Sequence, residues 1–146
     1  MKTRYADKED LPKVYTMYLR ALEELGEEYD ETKALEFVLS CWSKAPTILL
    51  EDKGIIGFAG LNTGTIAYNN KTFLKEYMFY ISPEKRGLKS WRALTKAVQK
   101  VSDEHKIPFL GEHKIQGKIK HHARLIRMAG ARPISIRSVY GETNGR

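Results

Sequence analysis

Apolar residues first recur at helical spacing over 11–25, where Leu11, Val14, Tyr15, Tyr18, Ala21, Leu22 and Leu25 fall on one stripe. Asp10 and Pro12 predict the start of this helix, and Gly26 predicts its end. A second helix is predicted from about Asp30, carrying Ala34, Leu35, Val38, Leu39, Cys41 and Trp42 and closed by Pro46. The period then shortens to that of strands. Residues 47–51 and 55–61 read as a hairpin around Asp52-Lys53-Gly54. Residues 62–71 are polar, with Gly and paired Asn, and read as a loop; 72–81 is a long aromatic and aliphatic strand. After a turn at 82–87, a helix over 88–105 places Leu88, Trp91, Leu94, Thr95, Val98 and Val101 on one face. A short strand at 107–110, a helix at 117–129 capped by Gly130, and a last strand at 133–140 follow.

With a first strand at 1–6, the order is β-α-α-β-β-β-α-β-α-β. The strand–helix–strand unit of 72–110 implies a parallel pairing, and the hairpin before it is antiparallel. The predicted architecture is α/β: a mixed central sheet with helices on both faces, in a single domain of 1–146.

Composition changes this picture little. The chain has 146 residues, 42% of them hydrophobic and 29% charged, as in an ordinary globular domain. Its longest apolar runs are too short for a bilayer, so no membrane partner is expected. Charged residues follow directly on Met1-Lys2-Thr3-Arg4, with no apolar leader, and Cys41 is the single cysteine; a cytoplasmic location is expected. The net charge of +7 favours anionic partners. Charges of both signs are interspersed except over 114–137, where Lys and Arg recur without any Asp or Glu. That run is where charge alone points to an acidic partner. Nucleic acid is the weaker reading of it, since the run carries no aromatic stacking platform.

Four local patterns, in this order, resemble the GNAT N-acetyltransferase superfamily. They are Arg4-Tyr5-Ala6-Asp7 followed by Asp10-Leu11; the hairpin from Leu49 with Gly57-Phe58 after its turn; Tyr80-Ile81-Ser82-Pro83-Glu84-Lys85-Arg86-Gly87; and Leu125-Ile126-Arg127-Met128-Ala129-Gly130-Ala131. The resemblance is greatest to small, divergent members often encoded by phages, which would place the protein in host cytoplasm or in a virion. It implies acetyl-CoA as acyl donor and an amine, on a small molecule or a protein, as acceptor. Family members hold the pyrophosphate at a helix start through Gln or Arg, two residues, Gly, one residue, then Gly or Ala. Here the corresponding stretch is Arg86, Gly87, Leu88, Lys89, Ser90 and Trp91, so Lys89 and Trp91 stand where small residues are usual. A helix start carries unpaired N–H groups and partial positive charge, which suits a phosphate. The resemblance also assigns the pantetheine arm to backbone near Phe79, Tyr80 and Ile81, where an N–H can polarise the thioester carbonyl.

Aminolysis of a thioester calls for a base. Glu76 interrupts the aromatic strand and is the first candidate; its alternative is a solubility charge on an edge strand. Glu112, after the fifth strand, is the second, against a plain loop residue. The family's late-helix Tyr is replaced by Ile126. His121 and His122 are adjacent on a helix and point apart, so no metal site is expected, and Tyr140 is a remoter candidate acid. Three functions compete: an acetyltransferase, a catalytically degenerate relative kept for binding or structure, and a basic nucleic-acid binder. The acceptor and the oligomeric state are not legible.

Overall fold

In the computed structural model the described residues are 1–110. Strand β1 (Lys2–Tyr5) leads into a single 3-10 turn (Lys8–Asp10) and helix α1 (Leu11–Glu24); helix α2 (Glu31–Lys44) follows. Strands β2 (Ile48–Glu51), β3 (Ile55–Thr65) and β4 (Thr72–Ile81) come next, then helix α3 (Leu88–His105) and β5 (Phe109–Leu110). The sheet runs in the order β1-β2-β3-β4-β5. Its first four strands are antiparallel neighbours, and β5 is parallel to β4, as the strand–helix–strand reading required.

Side chains alternate across the sheet and build a core on each face. Leu49, Phe58 and Tyr80 pack with Val14, Met17, Tyr18 and Ala21 of α1 and Ala34 and Val38 of α2. Ile48, Leu50, Ala59, Leu61, Leu74 and Ile81 pack with Leu94, Val98 and Val101 of α3. Helices therefore cover both faces.

The helix boundaries have local causes. Asp30 caps α2, accepting from Lys33 N–H at 2.9 Å. Gly26, at φ +70°, supplies the left-handed residue after α1. Asp10 had been expected to cap α1. Instead Asp7 and Asp10 form a capping box around the 3-10 turn, and the Asp10 carboxylate takes a fork from Arg4 at 2.8 and 3.0 Å. Arg4 also reaches Glu51 at 3.0 Å, tying β1 to β2 and to the start of α1.

Three expectations change. β3 runs to Thr65, so the loop predicted at 62–71 shrinks to 66–71, closed by Ile66 N–H to Lys71 O at 2.9 Å. β5 begins at Phe109, two positions later than the predicted start at 107. On α3, Leu88 is 41% exposed and Ser90 takes the inward position, in line with Leu94 and Val98. Among the described residues no helix is long and apolar enough to cross a membrane.

Candidate functional site

β4 is irregular at its centre. Gly60 pairs with Met78 and Leu61 with Glu76, which leaves Tyr77 as an extra residue in β4, a bulge. Tyr77 turns toward α1 and α2, its ring 5.6 Å from that of Tyr18, 5.3 Å from Phe37 and 6.5 Å from Phe58. It lies across Gly60 so closely that a Cβ there would sit 2.2 Å from the Tyr77 Cζ. The Tyr77 hydroxyl is buried without a hydrogen-bond partner among the described residues, and burial raises its pKa.

Glu76 faces the other way. Its register partner Leu61 and its neighbour Leu74 both belong to the core under α3. It is 8% exposed, and desolvation pushes its carboxyl up to about 8. At neutral pH the acid form predominates, and the carboxylate appears as pH rises past that value.

Among the described residues, the far edge of β4 is paired only in part. Leu74 N–H donates to Pro108 O at 2.8 Å, and the ladder to β5 comprises Leu74 with Phe109 and Lys75 with Leu110. Toward the end of β4, Ser82 N–H donates to Ile56 O of β3 at 2.7 Å. Backbone groups alternate along a strand, so Tyr80 also turns its N–H and C=O to β3 while Phe79 and Ile81 turn theirs to the open edge. The stretch expected to offer backbone at Phe79, Tyr80 and Ile81 thus does so at Phe79 and Ile81. The Ile81 C=O accepts from Arg86 Nε at 2.7 Å.

Next comes a 3-10 turn over Pro83–Lys85, and then the start of α3. No side chain caps α3. Its N-cap is Gly87, in extended conformation, and a Cβ on Gly87 would meet nothing within 4 Å. The helix start therefore opens onto free space among the described residues. Behind it, the buried Ser90 hydroxyl donates to Lys85 O at 2.8 Å and lies 3.0 Å from Gly87 O, which fixes the turn from within. Trp91 is half-buried and packs against the α3 core, and its N–H makes the first helical bond to Gly87 O at 3.0 Å.

The cations of this turn are differently engaged. Lys85 pairs with Asp52 at 3.4 Å. Arg86 pairs with Glu24, at the end of α1, at 2.6 Å, and its guanidinium lies 5.6 Å from the centre of the Tyr80 ring. Lys89 is exposed in the first turn of α3 and forms no ion pair among the described residues. Glu24 was not legible as a site residue, because its contact with Arg86 spans 62 positions. The Gly60–Tyr77 fit was equally hidden. Glu112, His121, His122, Tyr140 and the basic run 114–137 lie outside the described residues.

No protein-family profile matches the sequence, and no curated protein does. Solved structures do match. The chain is similar to an aminoglycoside 6'-N-acetyltransferase, AAC(6')-Iy, bound to a bisubstrate analogue of CoA and acetylneamine: TM-score 0.75, 12% identity, 97% of each chain covered. It is similar to AAC(6')-Ig from Acinetobacter haemolyticus, with TM-score 0.71, 11% identity, and 98% of this chain and 99% of that one covered. A predicted acetyltransferase of Clostridium acetobutylicum, solved with acetyl-CoA, matches with TM-score 0.69, 15% identity, and 97% and 93% covered. The chain has the GNAT fold. In GNAT terms, the open edge of β4 and the start of α3 are the elements that the sequence resemblance assigned to the acyl donor.

Proposed function

We propose that this GNAT-fold chain binds acetyl-CoA along the outer edge of β4 and transfers its acetyl group to an amine. One observation carries the reading: β4 turns the backbone of Phe79 and Ile81 to an edge that, among the described residues, is paired only at Leu74 and Lys75, and this edge leads to an uncapped helix start where a Cβ on Gly87 would meet no described residue within 4 Å. The residues present fit the donor. Phe79 and Ile81 would pair with the amides of its arm, as a further strand would. The N–H groups of 87–90 would take its diphosphate, with Lys89 as a nearby cation that has no ion pair among the described residues. Bound acetyl-CoA would supply a reactive thioester. The Glu76 carboxyl, poised at about 8, would collect the proton released by the attacking amine once ionised. A backbone N–H of the β4 edge would stabilise charge on the thioester oxygen. Two neighbours are aminoglycoside 6'-N-acetyltransferases, which supports a small amine as acceptor.

A second reading, a relative kept for binding alone, is favoured by the engagement of Arg86 with Glu24 and Ile81. Titration with acetyl-CoA separates the two. Binding to the native state should raise the unfolding free energy by about 2.7 kcal/mol at a hundredfold excess over Kd. Gly87→Ser, which adds a Cβ in open space and keeps a good cap, should fold as well as the parent and bind more weakly. No thermal shift at millimolar acetyl-CoA would rule out the enzyme.

A further inference from the structure

Arg86 leaves the turn before α3, which lies on one face of the sheet, and ends on Glu24 of α1, which lies on the other. On the way its Nε donates to Ile81 O on the outer edge of β4, and the guanidinium lies by the Tyr80 ring. We propose that Arg86 is a strap across the open edge of β4, and that a ligand with both an amide arm and a diphosphate is admitted by displacing it. The proposal rests on the acyl-CoA reading above and adds a selection step to it.

The chemistry is an exchange of partners. An N–H of an incoming amide can replace Nε–H at the Ile81 carbonyl, so that acceptor stays satisfied. A diphosphate can replace the Glu24 carboxylate on the guanidinium, with more charge and more acceptor oxygens. A ligand with the arm alone would free Ile81 but give the guanidinium nothing in return. A ligand with the diphosphate alone would draw the guanidinium away and leave the Ile81 carbonyl without its donor. The strap therefore favours ligands that carry both halves. Arg suits this post better than Lys, because its fork holds two acceptors at once.

The test compares coenzyme A, pantetheine (the arm without the diphosphate) and ADP (a diphosphate without the arm) on the parent, Glu24→Gln and Arg86→Ala. Each protein is first checked for a parent-like melt. Removing Glu24 from the pair should tighten coenzyme A about threefold, within the span of an exposed ion pair. Arg86→Ala should bind pantetheine more tightly than the parent and coenzyme A less tightly. A misfolded variant would lose both together. In the parent, the Arg86 Nε–H resonance should shift when coenzyme A binds, since the arm takes its place at the Ile81 carbonyl. The strap is refuted, and the acyl-CoA reading left standing, if coenzyme A binds the parent and Glu24→Gln alike without moving that resonance. Loss of both coenzyme A and pantetheine in a well-folded Arg86→Ala would make Arg86 a plain anchor and also overturn it. Absence of coenzyme A binding in all three proteins overturns the reading and the strap together.

Discussion

Gly60→Ala probes whether the bulge in β4 is held by the fit of Tyr77 over Gly60. The added Cβ would lie 2.2 Å from Tyr77 Cζ and 2.5 Å from Cε1, both rigid ring atoms, so the ring must move. Two of its neighbours cannot yield, since Phe58 is fully buried and Tyr18 is 8% exposed. The soft direction is toward Phe37, which is 41% exposed. Overpacking costs about 1–3 kcal/mol, and each edge-to-face aromatic pair that is lost costs about 0.5–1.5 kcal/mol more. With one escape route open, about 2–3 kcal/mol is the expected total, or a fall in Tm of roughly 8–10 °C for a domain of this size. Urea unfolding of a double-mutant cycle checks the cause. In a Tyr77→Ala background the clash is gone, and Gly60→Ala should be neutral or stabilising by about 0.5–1 kcal/mol, since alanine is the better strand residue. Equal costs of Gly60→Ala in the two backgrounds would refute the fit between ring and glycine.

Two further predictions concern pH. Asp10 is held down at about 2, chiefly by the hydrogen bonds from Arg4 and then by the Asp7 N–H. Its contribution to stability is complete above the ordinary carboxylate range and is lost as pH falls through about 2. The gap in unfolding free energy between the parent and Asp10→Asn should therefore be constant from pH 7 to 5 and shrink toward pH 2; a gap that persists undiminished at pH 2 would deny the Arg4 contact its role. Glu76 has the opposite sign. Raised from 4.5 to about 8, it binds a proton in the native state that the unfolded chain has released, so stability should fall between pH 4.5 and 8 and level off above. Glu76→Gln should flatten that slope, and an unchanged slope in denaturant titrations would show that another group causes it.

Much of the fold was legible because period and caps speak locally. The α1 stripe, the Asp30 cap, the hairpin around Lys53-Gly54 and the full span of α3 all follow from residues within a few positions of one another. The misreadings have a common cause in tertiary context. Asn62, Thr63 and Gly64 look like loop, yet they join β3 because Lys75, Leu74 and Phe73 pair with them across the strand. Leu88 looks like core by its type. The helix phase is set instead by Leu94, Val98 and Val101, which bring Ser90 inward, where its hydroxyl donates to the Lys85 carbonyl and so is not left unsatisfied. At the candidate site, sequence pointed to the β4–α3 junction through Arg86 and Gly87. It could not disclose the bulge, the partner Glu24 or which backbone groups face outward, because each depends on pairing between distant segments.

The same helix phase bears on the two residues at which the junction departs most from the family pattern. Lys89 and Trp91 replace small residues whose absence could close the start of α3. Trp91 is carried toward the core, where its ring packs with the α3 face, and its N–H is spent within the helix on Gly87 O. The N–H groups that precede it have no partner among the described residues. Lys89, one step before the inward Ser90, is carried outward to the surface. With Lys85 on Asp52 and Arg86 on Glu24, it brings to the first helical turn an ammonium that has no ion pair among the described residues. On the proposed reading, what is lost in close approach of a Gly-rich backbone to the diphosphate is made up by a charge on a flexible stem. Backbone contacts are fixed and short-ranged, whereas an exposed ammonium acts through solvent and is screened over about 8 Å at physiological salt. Donor binding at this junction should then weaken with added salt, and Lys89→Gln should both lower the affinity and flatten that dependence. Salt dependence as steep in Lys89→Gln as in the parent would return the diphosphate to the backbone, and to Arg86 released from its strap.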